Sequence, residues 1–149
     1  MSLYATLHTT PTNSCHEHEM LYITRGASAT LSYSLFNKVF EYSDIEQFTI
    51  ILKQDRTFYG YSMFDLSGDE KKLNPHFYLD DTTDYAAIIF NLDSQETIQF
   101  KPNVDIEYEV VIKLDTDRFA SLGGKDSTII EPQHPIAVID SLYSYIGGI

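Results

Sequence analysis

Two stretches of strict alternation constrain this chain more than any other feature. Ala27, Ala29, Leu31, Tyr33 and Leu35 alternate with Ser28, Thr30, Ser32 and Ser34. Further on, Ile106, Tyr108, Val110, Ile112 and Leu114 take one side. Asp105, Glu107, Glu109, Lys113 and Asp115 take the other, and only Val111 breaks the order. Successive side chains of a strand point to opposite faces, so each stretch reads as a strand with one dry and one wet face.

The rest of the chain follows the same logic. Met20–Thr24 is a short β-prone run broken by Arg25-Gly26, and Ile45–Gln54 sets Phe48, Ile50 and Leu52 on one face. Gln54-Asp55-Arg56 suggests a turn into a strand over Thr57–Tyr61. Leu66–Lys72 is a polar loop, Pro75 a breaker and His76–Leu79 an edge strand. Tyr85–Phe90 is apolar on both faces, as a central strand is. Asp93-Ser94-Gln95-Glu96 predicts one helical turn, with an acid at the cap and Glu96 three residues on to reach back. Pro102 ends it, and such a turn suits a crossing between two sheets. Thr128–Ile130 and Ile136–Ile139 are the last strands, with Pro132 and Pro135 between them.

Roughly seven to nine short strands, with turn signals every ~8–12 residues and almost no helix, predict an all-β fold. The expectation is a single-domain antiparallel β-sandwich with one short helical turn and an extended N-terminal arm. With 149 residues there is room for one ordinary domain. The arm is residues 1–20, turn-rich and without period, and the sandwich is residues 21–149 with an apolar C-terminal tail.

Charge and cysteine content narrow the function classes. Ten Lys and Arg against 22 Asp and Glu give a net charge of −12. Nucleic-acid binding depends on cationic neutralisation of phosphates, and anionic membranes draw basic patches, so neither partner is expected. The lone cysteine, Cys15, excludes an intrachain disulfide. Met1–His8 shows no secretory signal, and folding in a reducing compartment is expected.

Several clusters invite chemistry. Cys15, His16 and His18 carry metal-ligand side chains, but no C-x-x-C or H-x-x-x-H partner completes a site, and a solvated arm is the plainer reading. Asp80, Asp81 and Asp84, like Asp65, Asp69 and Glu70, offer oxygen ligands without the spacing of a calcium loop, and solvated turns explain them. Acids are too plentiful to single out a hydrolase pair. There is no nucleophile elbow and no phosphate loop. No catalytic residue and no cofactor is expected. The tail presents Leu142, Tyr143, Tyr145, Ile146 and Ile149, a sticky end that must complete a core or dock on another subunit. Docking makes Tyr143, Tyr145, Ile146 and Ile149 candidate partner-binding residues.

Tyr22-Ile23-Thr24-Arg25-Gly26 followed by an alternating strand resembles the opening of short all-β structural proteins of tailed bacteriophages and prophages of Gram-positive bacteria. These are similar to the N-terminal β domains of baseplate upper proteins. Leu92–Pro102 looks like the family's strand that runs into an acidic, glutamine-containing turn ended by proline. Asp105–Leu114 resembles its long strand and Ile136–Leu142 its closing strand. The likeness spans residues 21–142. The chain departs from the pattern in its Cys- and His-bearing arm, the segment Ser62–Thr83 and the Tyr- and Gly-rich tail. The resemblance implies a non-enzymatic virion component, made in the bacterial host cytoplasm. Such a part assembles as a homo-oligomer and with other phage structural proteins. A carbohydrate- or calcium-binding sandwich for receptor recognition is the alternative, and a carboxylate hydrolase ranks third.

Overall fold

The computed structural model describes residues 5–9 (backbone alone), 21–36, 38, 40–68, 70–81, 86–115 and 128–140. The strands are β1 (Ala5–Thr9), β2 (Tyr22–Thr24), β3 (Ala29–Ser34), β4 (Ile45–Gln54), β5 (Thr57–Ser62), β6 (Phe64–Asp65) and β7 (Lys72–Leu73), then β8 (Phe77–Asp80), β9 (Ala87–Leu92), β10 (Glu107–Leu114), β11 (Thr128–Pro132) and β12 (Ala137–Ile139). A 3-10 turn (Tyr42–Asp44) precedes β4, and a single helical turn, α1 (Ser94–Thr97), follows β9.

Two four-stranded antiparallel sheets form an all-β sandwich. The first has the order β1-β3-β9-β8 and the second β11-β10-β4-β5. Alternation decides which side chains go inside. Ala29, Leu31 and Tyr33 of β3 are buried, as are Phe48, Ile50 and Leu52 of β4 and Tyr108, Val110, Ile112 and Leu114 of β10. All belong to one buried cluster that joins the sheets. Each such aliphatic or aromatic side chain contributes about 1.5–3 kcal/mol on leaving water. Rings cross the interior: Tyr33 meets Phe48 at 5.1 Å and Tyr61 meets Phe90 at 5.0 Å, centroid to centroid. Central β9 buries Ile88, Ile89 and Phe90 in succession, which places apolar side chains on both of its faces.

The helical turn forms for the reason its sequence gives. Asp93 accepts the Glu96 backbone N–H at 2.8 Å, and Glu96 accepts the Asp93 N–H at 3.0 Å. These reciprocal bonds satisfy two otherwise orphaned donors. The turn lies on the crossing from β9 in the first sheet to β10 in the second.

Four features differ from the sequence expectation. Within the expected arm, Ala5–Thr9 runs antiparallel to β3, with Leu7 opposite Leu31. The 3-10 turn adds a second helical element, in which the Glu41 N–H donates to Asp44 Oδ2 at 2.8 Å. Phe64–Asp65 pairs with Lys72–Leu73, so the polar loop is the tip of a small hairpin. β12 pairs with β2 in parallel, an arrangement that alternation within either strand does not specify.

Candidate functional site

The densest polar chemistry gathers around α1. The chain turns at Gly26, whose φ of 83° is a left-handed value that favours glycine. The Gly26 N–H donates to Thr97 Oγ1 at 3.0 Å, and that buried hydroxyl donates to Ala27 O at 2.8 Å. Beside it, Arg25 Nε donates to Phe100 O at 2.7 Å and a second guanidinium nitrogen donates to Ile98 O at 3.0 Å. The third guanidinium nitrogen reaches Asp140 Oδ1 at 2.8 Å. Arg25 thereby ties the residues after α1 to the end of β12. Its planar fork suits carbonyls held at fixed spacing.

On the other side of α1, Glu96 Oε2 lies 2.7 Å from His76 Nε2. Asn74 Nδ2 donates to Ser62 O at 3.1 Å, which turns its Oδ1 toward His76. That oxygen accepts the His76 backbone N–H at 3.0 Å and lies 2.9 Å from Nδ1. Both ring nitrogens therefore face oxygen acceptors. The imidazole also packs against Tyr61 at 5.0 Å and Phe90 at 5.9 Å. Burial, and next the negative charge of Glu96, push the Tyr61 hydroxyl above its ordinary value and keep it neutral. A carboxylate–imidazole pair is a familiar acid–base unit. Here, with both nitrogens engaged, it fastens α1 to the residue before β8.

A third cluster sits where β3 and β11 approach. Lys38 Nζ stands 5.5 Å from the Tyr33 ring centroid. The Tyr33 hydroxyl and Glu131 Oε2 are buried with no hydrogen-bond partner among the described residues. Desolvation raises the Glu131 carboxyl above its ordinary value, and Lys38 opposes that shift. Burial, and next Glu131, raise the Tyr33 hydroxyl.

The remaining sequence candidates divide in two. Cys15, His16, His18 and Asp84 lie outside the described residues, as do Tyr143, Tyr145, Ile146 and Ile149. Asp80 ends β8 half-buried, and Asp81 follows it exposed. Among the described residues no three His, Cys, Asp or Glu side chains come together as metal ligands. The Asp65 carboxylate accepts the Ser67 hydroxyl at 2.7 Å and its N–H at 2.9 Å. Those bonds hold it below the usual carboxylate range and mark a turn of the chain. A void of about 10 Å³, lined by Ile23, Leu31, Leu52, Phe90 and their apolar neighbours, lies in the core. It has about the volume of one water and no polar wall.

Sequence reasoning missed three of these residues. Arg25 reads as a strand breaker and His76 as part of an edge strand, while Gln54 reads as the start of a turn. Gln54 is instead a buried strand end. It donates to Lys101 O and Val104 O, both at 2.8 Å, and accepts the Lys101 N–H at 2.7 Å. Apart from Asn74, two residues before His76, the partners of all three side chains lie 20 to 115 residues away.

The outer surface carries apolar side chains at sheet edges. Phe58 on β5 is 67% exposed and Ile130 on β11 is 59% exposed. Among the described residues no helix is long and apolar enough to cross a membrane. No protein-family model and no curated protein sequence matches the chain.

Proposed function

We propose that this protein is a non-enzymatic structural component of a tailed-bacteriophage virion, in the tail, the baseplate or another capsid-associated position. It is made in the host cytoplasm and assembles through contacts of its arm and tail with copies of itself and with other phage proteins. The observation that carries the reading is the pairing of Ala5–Thr9 with β3. A segment near one end of the chain docks by backbone hydrogen bonds, and residues 10–21 separate it from β2. Backbone pairing of that kind transfers readily between identical subunits. The polar clusters support the same reading, because Arg25, Gln54, Thr97 and His76 each fasten one loop or turn to another.

Sedimentation over a concentration series tests it, comparing the full chain with a chain ending at Ser141. The expected result is a discrete oligomer for the full chain and a folded, smaller product for the truncated one. A truncated chain that keeps the full oligomer removes the tail from the mechanism. A monomer that binds a glycan array, or whose melting point rises with calcium, overturns the structural role in favour of receptor recognition.

A further inference from the structure

Among the described residues β5 is an uncovered edge of the second sheet, and its chemistry suits one kind of partner. β5 reads Thr57-Phe58-Tyr59-Gly60-Tyr61-Ser62, six residues with no charge and no proline. Natural edge strands usually carry such blockers, because an unprotected edge pairs with another strand. The opposite edge of the same sheet, β11, holds both Glu131 and Pro132.

The direction of the backbone groups on β5 follows from its register. Gln54 faces Thr57 across the two-residue turn Asp55–Arg56. In such a hairpin the closing pair is hydrogen-bonded, and bonded pairs then recur at every second residue. Thr57, Tyr59 and Tyr61 therefore turn their N–H and C=O groups toward β4. Phe58, Gly60 and Ser62 turn theirs away from it. Two bonds fit this parity: Met63 N–H donates to Phe48 O at 2.7 Å, and Ser62 O is capped by Asn74 Nδ2 at 3.1 Å. Among the described residues the uncapped outward positions are Phe58 and Gly60.

The side chains at those positions complement each other. Both project from the outer face of the sheet, where Phe58 is 67% exposed. A Cβ built on Gly60 would have nothing within 4 Å. Beside Gly60 on that face lies Ile51, its half-buried cross-strand partner. One residue of the pair is an exposed ring with the Lys53 ammonium 5.7 Å from its centroid, and the other is a gap without a ring.

We infer that β5 pairs antiparallel with β5 of a second copy of this chain, with each Phe58 opposite the partner's Gly60. In that register all four outward groups of Phe58 and Gly60 on each copy find partners. Each ring covers the other copy's glycine and reaches toward its Ile51. Aromatic cover of an edge glycine is an established way to fix strand register. Shifting by one pair, to Gly60 opposite Gly60, sets Phe58 against Ser62, whose carbonyl Asn74 already holds. Charge within the strand does not oppose the pairing, because the strand carries none. β5 belongs to neither the arm nor the tail, so the inference stands without the virion reading.

Sedimentation of the full chain, with variants, tests it. The expected result is a concentration-dependent doubling of mass through β5, in addition to any assembly through the tail, with dissociation in the range of about 1 μM to 1 mM. Salt should tighten it by screening repulsion between two copies of net charge −12. Gly60→Pro removes an outward N–H that β4 does not use, and Phe58→Glu places a carboxylate at the covered position beside Lys53. Each should weaken the dimer tenfold or more, and the second keeps the test decisive where the proline disturbs the strand. The register sets the Tyr59 Cα atoms about 4.5 Å apart, within the range a disulfide spans. In a Cys15→Ser background, Tyr59→Cys should therefore crosslink on oxidation and Gly60→Cys should not. A chain that stays monomeric to millimolar concentration, or a dimer that both edge variants leave intact, overturns the inference. An oligomer lost on truncation after Ser141 but indifferent to Gly60→Pro and Phe58→Glu keeps the virion reading and discards this one. An edge that captures only a foreign strand, with no dimer of its own, also discards it.

Discussion

Glu131 shows how one residue works against its own fold. It stands on β11 with Oε2 buried and without a hydrogen-bond partner among the described residues, close enough to Tyr33 to raise that hydroxyl. Burial disfavours the charged form, so the folded carboxyl binds its proton more tightly than the unfolded one. An acid whose folded value is raised favours the native state below its unfolded value and loses that contribution as pH rises through the folded value. The window opens near the ordinary value of 4.5 and extends upward. Glu131→Gln should thus raise the melting temperature at pH 7, and the gain should vanish near pH 4. Parallel thermal melts at the two pH values check this. A variant less stable than the parent at pH 7 would mean that the pairing of Glu131 with Lys38 outweighs the desolvation.

At the scale of elements, the sequence announces what is local and is silent on what is not. β3, β4 and β10 are legible because each carries its whole instruction as alternation. The turn at α1 is legible because Asp93 and Glu96 stand three residues apart. The parallel pairing of β2 with β12 leaves no mark in either strand, since it brings Ile23 beside Val138. The clamp between His76 and Glu96 is equally hidden, because neither residue signals the other across 20 positions. Val111 was the one visible hint of something on the outer face. It sits opposite Ile130 on β11, in the row next to the one that pairs Ile51 with Gly60. The candidate tail residues Tyr143 and Ile146 were legible only as composition. Capping gives α1 a testable role. Asp93→Ala removes the acceptor for the Glu96 N–H, a loss of about 1 kcal/mol. It also frees Glu96 from its bond to the Asp93 N–H only if the backbone moves. Asp93→Ala should therefore lower stability in chemical denaturation by about that amount, while Glu96→Ala, which loses the bond from the Asp93 N–H and the His76 contact, should cost more. Equal costs for the two would show that the His76 bond contributes nothing to the fold.

For the whole molecule the decisive question is which edges are closed and by what. The first sheet ends in β1 on one side, and β3 is otherwise held only by β9. Residues 29–34 of β3 pair with β9, and Ala29, Leu31 and Tyr33 belong to the buried cluster, contacts that do not run through β1. A chain lacking residues 1–10 should therefore still fold, with β3 as a bare edge. Its stability should fall, because about five residues of ladder are lost, at about 0.5–1.5 kcal/mol for each net hydrogen bond. Its outward backbone groups, now unpaired, should bind a peptide of residues 1–10 supplied in trans, by strand addition. Fluorescence anisotropy of the labelled peptide measures that binding. A peptide with its His8 replaced by proline should fail to bind, because Leu35 bonds toward β9, the alternate residue Thr30 turns its backbone groups toward His8, and proline there removes a ladder donor. Binding of the unmodified peptide to the truncated chain but not to the full chain would show that β1 occupies its own subunit's edge. Equal binding to both would show that the edge exchanges freely between copies, the property an assembling virion part requires. No binding to either would mean that β1 contributes little of its own to the first sheet, and the arm would lose its place in the mechanism of assembly.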